Sequence, residues 1–184
     1  MPKKYIVLFF FSVLIFSIGE TFAQTPKLPF RDVGACPFEC CSYRQWIANK
    51  ETIIYKQMRA NSPIAFRVKK REKVTGLTGV VITKKAGTVK ALKDLMVKEF
   101  SQDFNEKEFS IKSGDVFYVL TPIGEGFYQL WYKGKFFQDQ IDTREGMKIL
   151  TMPVADWWVK IKNRKGQIGW TKLPENFDNK DTCS

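Results

Sequence analysis

No histidine occurs anywhere in the 184 residues. That absence removes the commonest metal ligand and the side chain that most often serves as a neutral-pH general base. Most zinc enzymes, and every nucleophilic site built on Ser-His-Asp or Cys-His, are excluded with it. Acidic residues are scarce as well: 19 Asp and Glu face 30 Lys and Arg, giving a net charge of +11 and a pI near 9.5. Among these acids, the spacing of Asp115, Glu125, Asp139 and Asp142 singles out no acid–base pair. The chain is therefore expected to be non-catalytic, with no cofactor and no metal. At 44% hydrophobic and 27% charged residues it is neither a disordered tail nor an integral membrane protein.

The single long apolar run, Tyr5 to Ile18, follows Lys3 and Lys4 and is broken by Gly19 and Glu20. Thr21-Phe22-Ala23 then sets small residues at the −3 and −1 positions before Gln24. This is the pattern of a cleaved signal peptide over residues 1–23, and the run is short of the ~20 residues a membrane span needs. The expected location is the periplasm or the cell exterior. Cysteine usage agrees. Cys36, Cys40 and Cys41 cluster in Cys-Pro-Phe-Glu-Cys-Cys, Cys183 is penultimate, and an even count in an exported chain reads as two disulfides. A bond between the neighbours Cys40 and Cys41 forces a strained ring. Either Cys40 or Cys41 is thus expected to bond Cys183, and the other Cys36. This makes residues 24–50 an extended Cys-rich lead-in, with one helical turn expected near Tyr43 to Ala48. Residues 176–184 become a tail tied by Cys183.

Between those ends the chemistry is that of strands. Thr52 to Leu92 is rich in Val, Ile and Thr with glycine punctuation, as in Val74-Thr-Gly-Leu-Thr-Gly-Val-Val-Ile-Thr83. Val89 to Phe100 suits either a helix or a strand end. Ser113-Gly114-Asp115 turns into the buried run Val116 to Leu120. Gly124-Glu125-Gly126 and Lys133-Gly134 then bracket a strand over Phe127 to Tyr132 and introduce another from Lys135. Trp157 to Lys162 alternates, and Asn163-Arg-Lys-Gly166 closes a hairpin onto Gln167-Ile-Gly-Trp170. A faint internal repeat accompanies this. Val68-Lys-Lys-Arg-Glu72 leading to Leu77 aligns with Ile111-Lys-Ser-Gly-Asp115 leading to Leu120, at an offset of 43 residues.

The segment Trp157-Trp-Val-Lys-Ile-Lys-Asn-Arg-Lys-Gly-Gln-Ile-Gly-Trp170 resembles the closing hairpin of bacterial Src-homology-3-like (SH3-like) domains. Lys112-Ser-Gly-Asp115 before a hydrophobic strand resembles the same family's upstream strand. The resemblance covers about residues 108–172, and residues 52–100 at lower specificity. It implies a mainly β protein of two small SH3-like barrels in tandem, residues 51–104 and 105–175, behind the disulfide-rich N-terminal segment. Asp139 to Ala155 exceeds the family pattern and is expected to be an inserted loop. Such barrels usually bind cell-wall peptide or glycan.

The candidate surface follows from strand parity. Trp157, Val159 and Ile161 share one face and are assigned to the core, as is Trp170, while Trp46 is expected near the disulfides. Trp158, Lys160 and Lys162 share the opposite face; either they form a ligand platform, or Trp158 packs under the Cys-rich segment or against the other unit. Tyr128, Trp131 and Tyr132 form a second aromatic group, with one of its two faces expected to be open. The basic clusters Lys69-Lys70-Arg71, Lys84-Lys85 and Lys160 to Lys165 favour anionic surfaces, including peripheral contact with lipid headgroups. Export argues against nucleic acid. Two functions fit: a binding module for a peptidoglycan-type or other anionic envelope polymer, or an interaction protein docking on an envelope protein.

Overall fold

The computed structural model describes residues 25–100 and 107–183. Residues 1–23, expected from the sequence to be a signal peptide, lie outside the described residues. The chain forms β1 (Phe30–Val33), β2 (Gln45–Ala48), β3 (Thr52–Tyr55), β4 (Ile64–Val68), β5 (Lys73–Lys85), β6 (Gly87–Ala91), β7 (Leu95–Lys98) and β8 (Glu108–Ile111). It continues with β9 (Val116–Gly124), β10 (Phe127–Tyr132), β11 (Lys135–Gln140), β12 (Met147–Thr151), β13 (Val154–Lys162), β14 (Ile168–Thr171), a 3-10 turn (Pro174–Asn176) and β15 (Phe177–Asp178). The fold is mainly β, with no α-helix among the described residues. The helical turn expected near Tyr43 is strand β2, because Trp46 and Ala48 alternate inward while the strand pairs with β5 and β15. The ambiguous Val89 to Phe100 stretch resolves into β6 and β7 for the same reason: Val89, Ala91, Leu95 and Val97 enter one core at period two.

Pairing assigns the strands to two sheets. One has the order β15-β2-β5-β13-β14-β3-β4, with β1 beside the far end of β5. The other has the order β11-β10-β9-β6-β12, accompanied by the β7–β8 hairpin. Each curls around its own core. Trp46, Ile54, Val68, Val159, Ile161 and Phe177 fill the first, and Val89, Ile111, Phe117, Leu130 and Phe137 the second. Burying that much aliphatic and aromatic surface is the main drive for both sheets.

The faint repeat is a structural one. Ala48 N–H donates to Glu72 O (2.9 Å) and Arg71 N–H to Ala48 O (2.7 Å). Forty-three residues on, Ala91 N–H donates to Asp115 O (2.9 Å) and Gly114 N–H to Ala91 O (2.8 Å). Arg71 and Gly114 occupy the same place in the turn, and both have positive φ, +66° and +90°. Glycine adopts this conformation freely, and the arginine is held there by the bonds just named. Core positions correspond too: Ala48 with Ala91, Ile54 with Val97, Val68 with Ile111 and Val74 with Phe117 are all buried. In both copies a hairpin (β3–β4, β7–β8) separates the first paired strand from the second. In both, the last strand returns to the first, β15 to β2 and β12 to β6.

The copies are nested rather than consecutive. The stretch from β6 to β12 departs at the end of β5 and rejoins at the start of β13, where Lys85 pairs with Val154. Thr88 and Thr151 close its neck, their hydroxyls 2.9 Å apart. This corrects the tandem division at residues 51–104 and 105–175. The β13–β14 hairpin belongs to the sheet of β5 and β3, not to the sheet of β9 to β11. It also corrects the loop expected over Asp139 to Ala155, which contains β12, the edge strand beside β6. The copies meet through Ala86, Leu120 and Trp131, with Phe30 and Tyr118 against them, and through a buried hydrogen bond from Thr83 Oγ1 to Leu120 O (2.7 Å).

Candidate functional site

Strand β13 runs up the middle of the larger sheet, so both of its faces are informative. Val159 and Ile161 point into the core, with Trp157 half-buried beside them. On the opposite face Trp158 pairs with Val80, Lys160 lies between Thr78 and Trp170, and Lys162 between Thr75 and Ile168. The four residue-to-residue steps from Trp158 to Lys162 make this row about 13 Å long. The parity assignment of the three side chains to one face therefore stands, but their exposure does not follow from it.

Trp158 is only 4% exposed. It packs with Val80, Ile82, Tyr55, Met58 and Trp170, because the connection between β3 and β4 folds Met58 onto it. Its ring is the floor of a groove of about 410 Å³, walled by Pro29, Met58 and Ile82 and rimmed by Arg59, Lys84 and Lys172. The carboxylate on that rim, Asp156, is taken by Lys84 Nζ at 2.6 Å. Trp170, expected in the core, is instead half-buried on this outer face, with Lys160 Nζ 5.6 Å above its ring. That distance permits a cation–π contact and orients the ammonium along the strip. Beyond it lies a second, smaller groove of about 250 Å³, where Lys73, Lys162 and Arg164 surround Thr75 and Asn163. The strip is thus one aromatic floor and a chain of cations with a single, already paired carboxylate in the grooves. Such an arrangement attracts an extended anion and leaves an apolar surface for a ring or aliphatic group.

The second aromatic group is not open. Trp131 is 7% exposed and sits between the sheets, edge-on to Tyr118 at 5.8 Å. Tyr132 is in the inner core, stacked 6.2 Å from Phe109, and its hydroxyl donates to Asp115. That donation holds the Asp115 carboxyl below its ordinary range, while burial raises the Tyr132 hydroxyl. Tyr128 is half-buried against the same core. Alternation in β10 distributes these rings to two faces, but the larger unit and Phe30 cover the face that the inner core leaves free. None of the three is an exposed platform.

The disulfides are Cys36–Cys41 and Cys40–Cys183, with Cα–Cα distances of 5.5 and 5.7 Å. Trp46 lies in the outer core, tilted against Tyr43 and donating its indole N–H to Ser42 O at 2.9 Å. Burial pushes the Tyr43 hydroxyl up to about 12. Gly79 is required beside it, since a Cβ there would collide with Tyr43 Oη and Trp157 Nε1. Cys40, Asp181 and Cys183 bring metal-type ligand atoms together, but both sulfurs are spent in one disulfide. Parity reasoning missed Arg59, Lys84 and Met58, which are remote from β13 in sequence, and Lys172, which directly follows β14. Only the Lys84-Lys85 cluster gave a local signal. No family model, no curated protein and no solved structure matches the chain.

Proposed function

We propose that the protein is a non-catalytic, exported SH3-like binding module that holds an anionic envelope polymer, of cell-wall type, along the outer face of β13. The carrying observation is the row Trp158, Lys160, Lys162, set between two grooves that each present three Lys or Arg side chains. The order β15-β2-β5-β13-β14, curled around one core with a 3-10 turn before its last strand, supports the small barrel that the resemblance implies. Paired cysteines are compatible with an oxidising compartment. A second reading, docking on an envelope protein, draws on edge strand β12 and the residues after it. There Ile149, Leu150, Met152 and Val154 are all exposed.

Cosedimentation with purified sacculi tests the proposal. Retention should be saturable and should fall steeply between about 0.1 M and about 1 M salt, as the Debye length drops from about 10 Å to about 3 Å. The charge reversal K160E/K162E should abolish retention without lowering the melting temperature, since Lys162 is exposed and Lys160 half-exposed. Flow-through at low salt, with retention on one envelope protein, would replace this reading with the second.

A further inference from the structure

A third groove, of about 450 Å³, has the opposite charge. It lies where the disulfide loop meets the β9–β10 turn, and among the described residues no Lys or Arg lines it, in a chain where these residues outnumber Asp and Glu by 30 to 19. Glu39 on the loop and Glu125 on the turn line it, and among the described residues neither carboxylate has a salt bridge or hydrogen bond. The rings of Phe38 and Phe127, with Ile123, supply its apolar surface, and Gln138 adds a side-chain amide.

The groove is built before any ligand arrives. Two disulfides fix the loop. The turn runs through three residues of positive φ, Gly124 (+139°), Glu125 (+52°) and Gly126 (+76°), and Gln140 Nε2 clamps it by donating to Glu125 O at 2.7 Å. Loop and turn are in direct contact, since a Cβ on Gly124 would stand 3.2 Å from Glu39 N. Asp142 adds a third carboxylate beside the turn, with Oδ1 3.4 Å from where a Cβ of Gly126 would lie. Two acidic side chains lining one groove with no cation beside them give it a negative potential, which favours a cationic guest. Aromatic rings next to them favour the same charge. The volume falls in the range of small-ligand sites.

We propose that this groove takes the cationic side chain of an extended peptide, a Lys or Arg whose aliphatic stem lies on Ile123 and Phe127 while its head sits between Glu39 and Glu125. The site is independent of the β13 strip and reads the other sign of charge. The test is an amide NMR titration with Nα-acetyl-lysine-N-methylamide as probe, beside its neutral analogue Nα-acetyl-norleucine-N-methylamide. The lysine probe should produce saturable shifts confined to residues 38–41 and 123–127. The norleucine probe should bind at least ~10-fold more weakly, the size of a charge-assisted contact of about 1.4 kcal/mol. E39Q/E125Q should lose the response while keeping the melting temperature and sacculus retention of the parent. Absence of saturable shifts, an equal response to norleucine, or a response surviving in E39Q/E125Q would each overturn the proposal. K160E/K162E should leave the titration unchanged, which separates this site from the polymer-binding one.

Discussion

Trp158→Ala is expected to cost about 3–5 kcal/mol of stability, the usual price of emptying a buried aromatic site. The ring is 4% exposed and packs against Val80, Ile82, Tyr55, Met58 and Trp170. The loss combines transfer energy with a cavity that a sheet face cannot collapse to fill, since β5 and β14 flank it rigidly. For a domain of ordinary stability, about 5–15 kcal/mol, this approaches unfolding at moderate temperature. Trp157→Ala should cost less, because its ring is only half-buried at the margin of the core, with Phe38 edge-on at 5.8 Å. Urea unfolding of both variants measures the difference. A loss below about 1 kcal/mol for Trp158→Ala would mean that the β3–β4 connection does not cover the ring.

Loss of the Cys40–Cys183 bond, by C40S/C183S, is expected to cost about 4–5 kcal/mol in the chain-entropy model, because it closes a separation of 143 residues. C36S/C41S closes a separation of only 5 and should cost about 2 kcal/mol. The tail is also zipped by hydrogen bonds: Thr182 N to Cys40 O (2.9 Å), Ser42 N to Lys180 O (2.7 Å) and Arg44 Nε to Asn179 O (3.1 Å). These keep the tail in place at low temperature, so the effect should appear in the melting temperature before it appears in the native spectrum. Calorimetry of the two variants decides. Equal costs, or a larger one for C36S/C41S, would exclude long-loop closure as the source of the stabilisation.

Sequence made the local features legible and hid the long-range ones. Turn residues located β9, β10 and β11, and the Asn163 to Gly166 turn located the β13–β14 hairpin, because both depend on chemistry within a few residues. Parity gave the faces of Trp158, Lys160 and Lys162. The repeat at 43 residues was visible because each copy carries an apolar residue, a polar turn ending in an acid, Glu72 or Asp115, and then a strand run. Nesting left no such mark. A strand's period tells which face is buried but not which strand lies alongside, and the partner of β13 is β5, on the far side of the whole inner copy. Hence the sequence left Trp158 either open or packed under another segment and did not point to Met58, a hundred positions earlier, as its cover. Trp131 read as ambiguous for a similar reason, since its cover comes from Phe30 and Ala86.

The nesting is tested most directly by cross-strand backbone NOEs in the intact protein. Trp158, Val159 and Lys160 pair in register with Val80, Gly79 and Thr78. Alternating Hα–Hα and amide–amide contacts should therefore connect residues 158–160 to residues 78–80. Their presence, with Trp170 in contact with Tyr55, is the expected result. Contacts from residues 157–171 to the strands over 116–140 instead, with none to 78–80, would contradict the nested fold and restore two consecutive units.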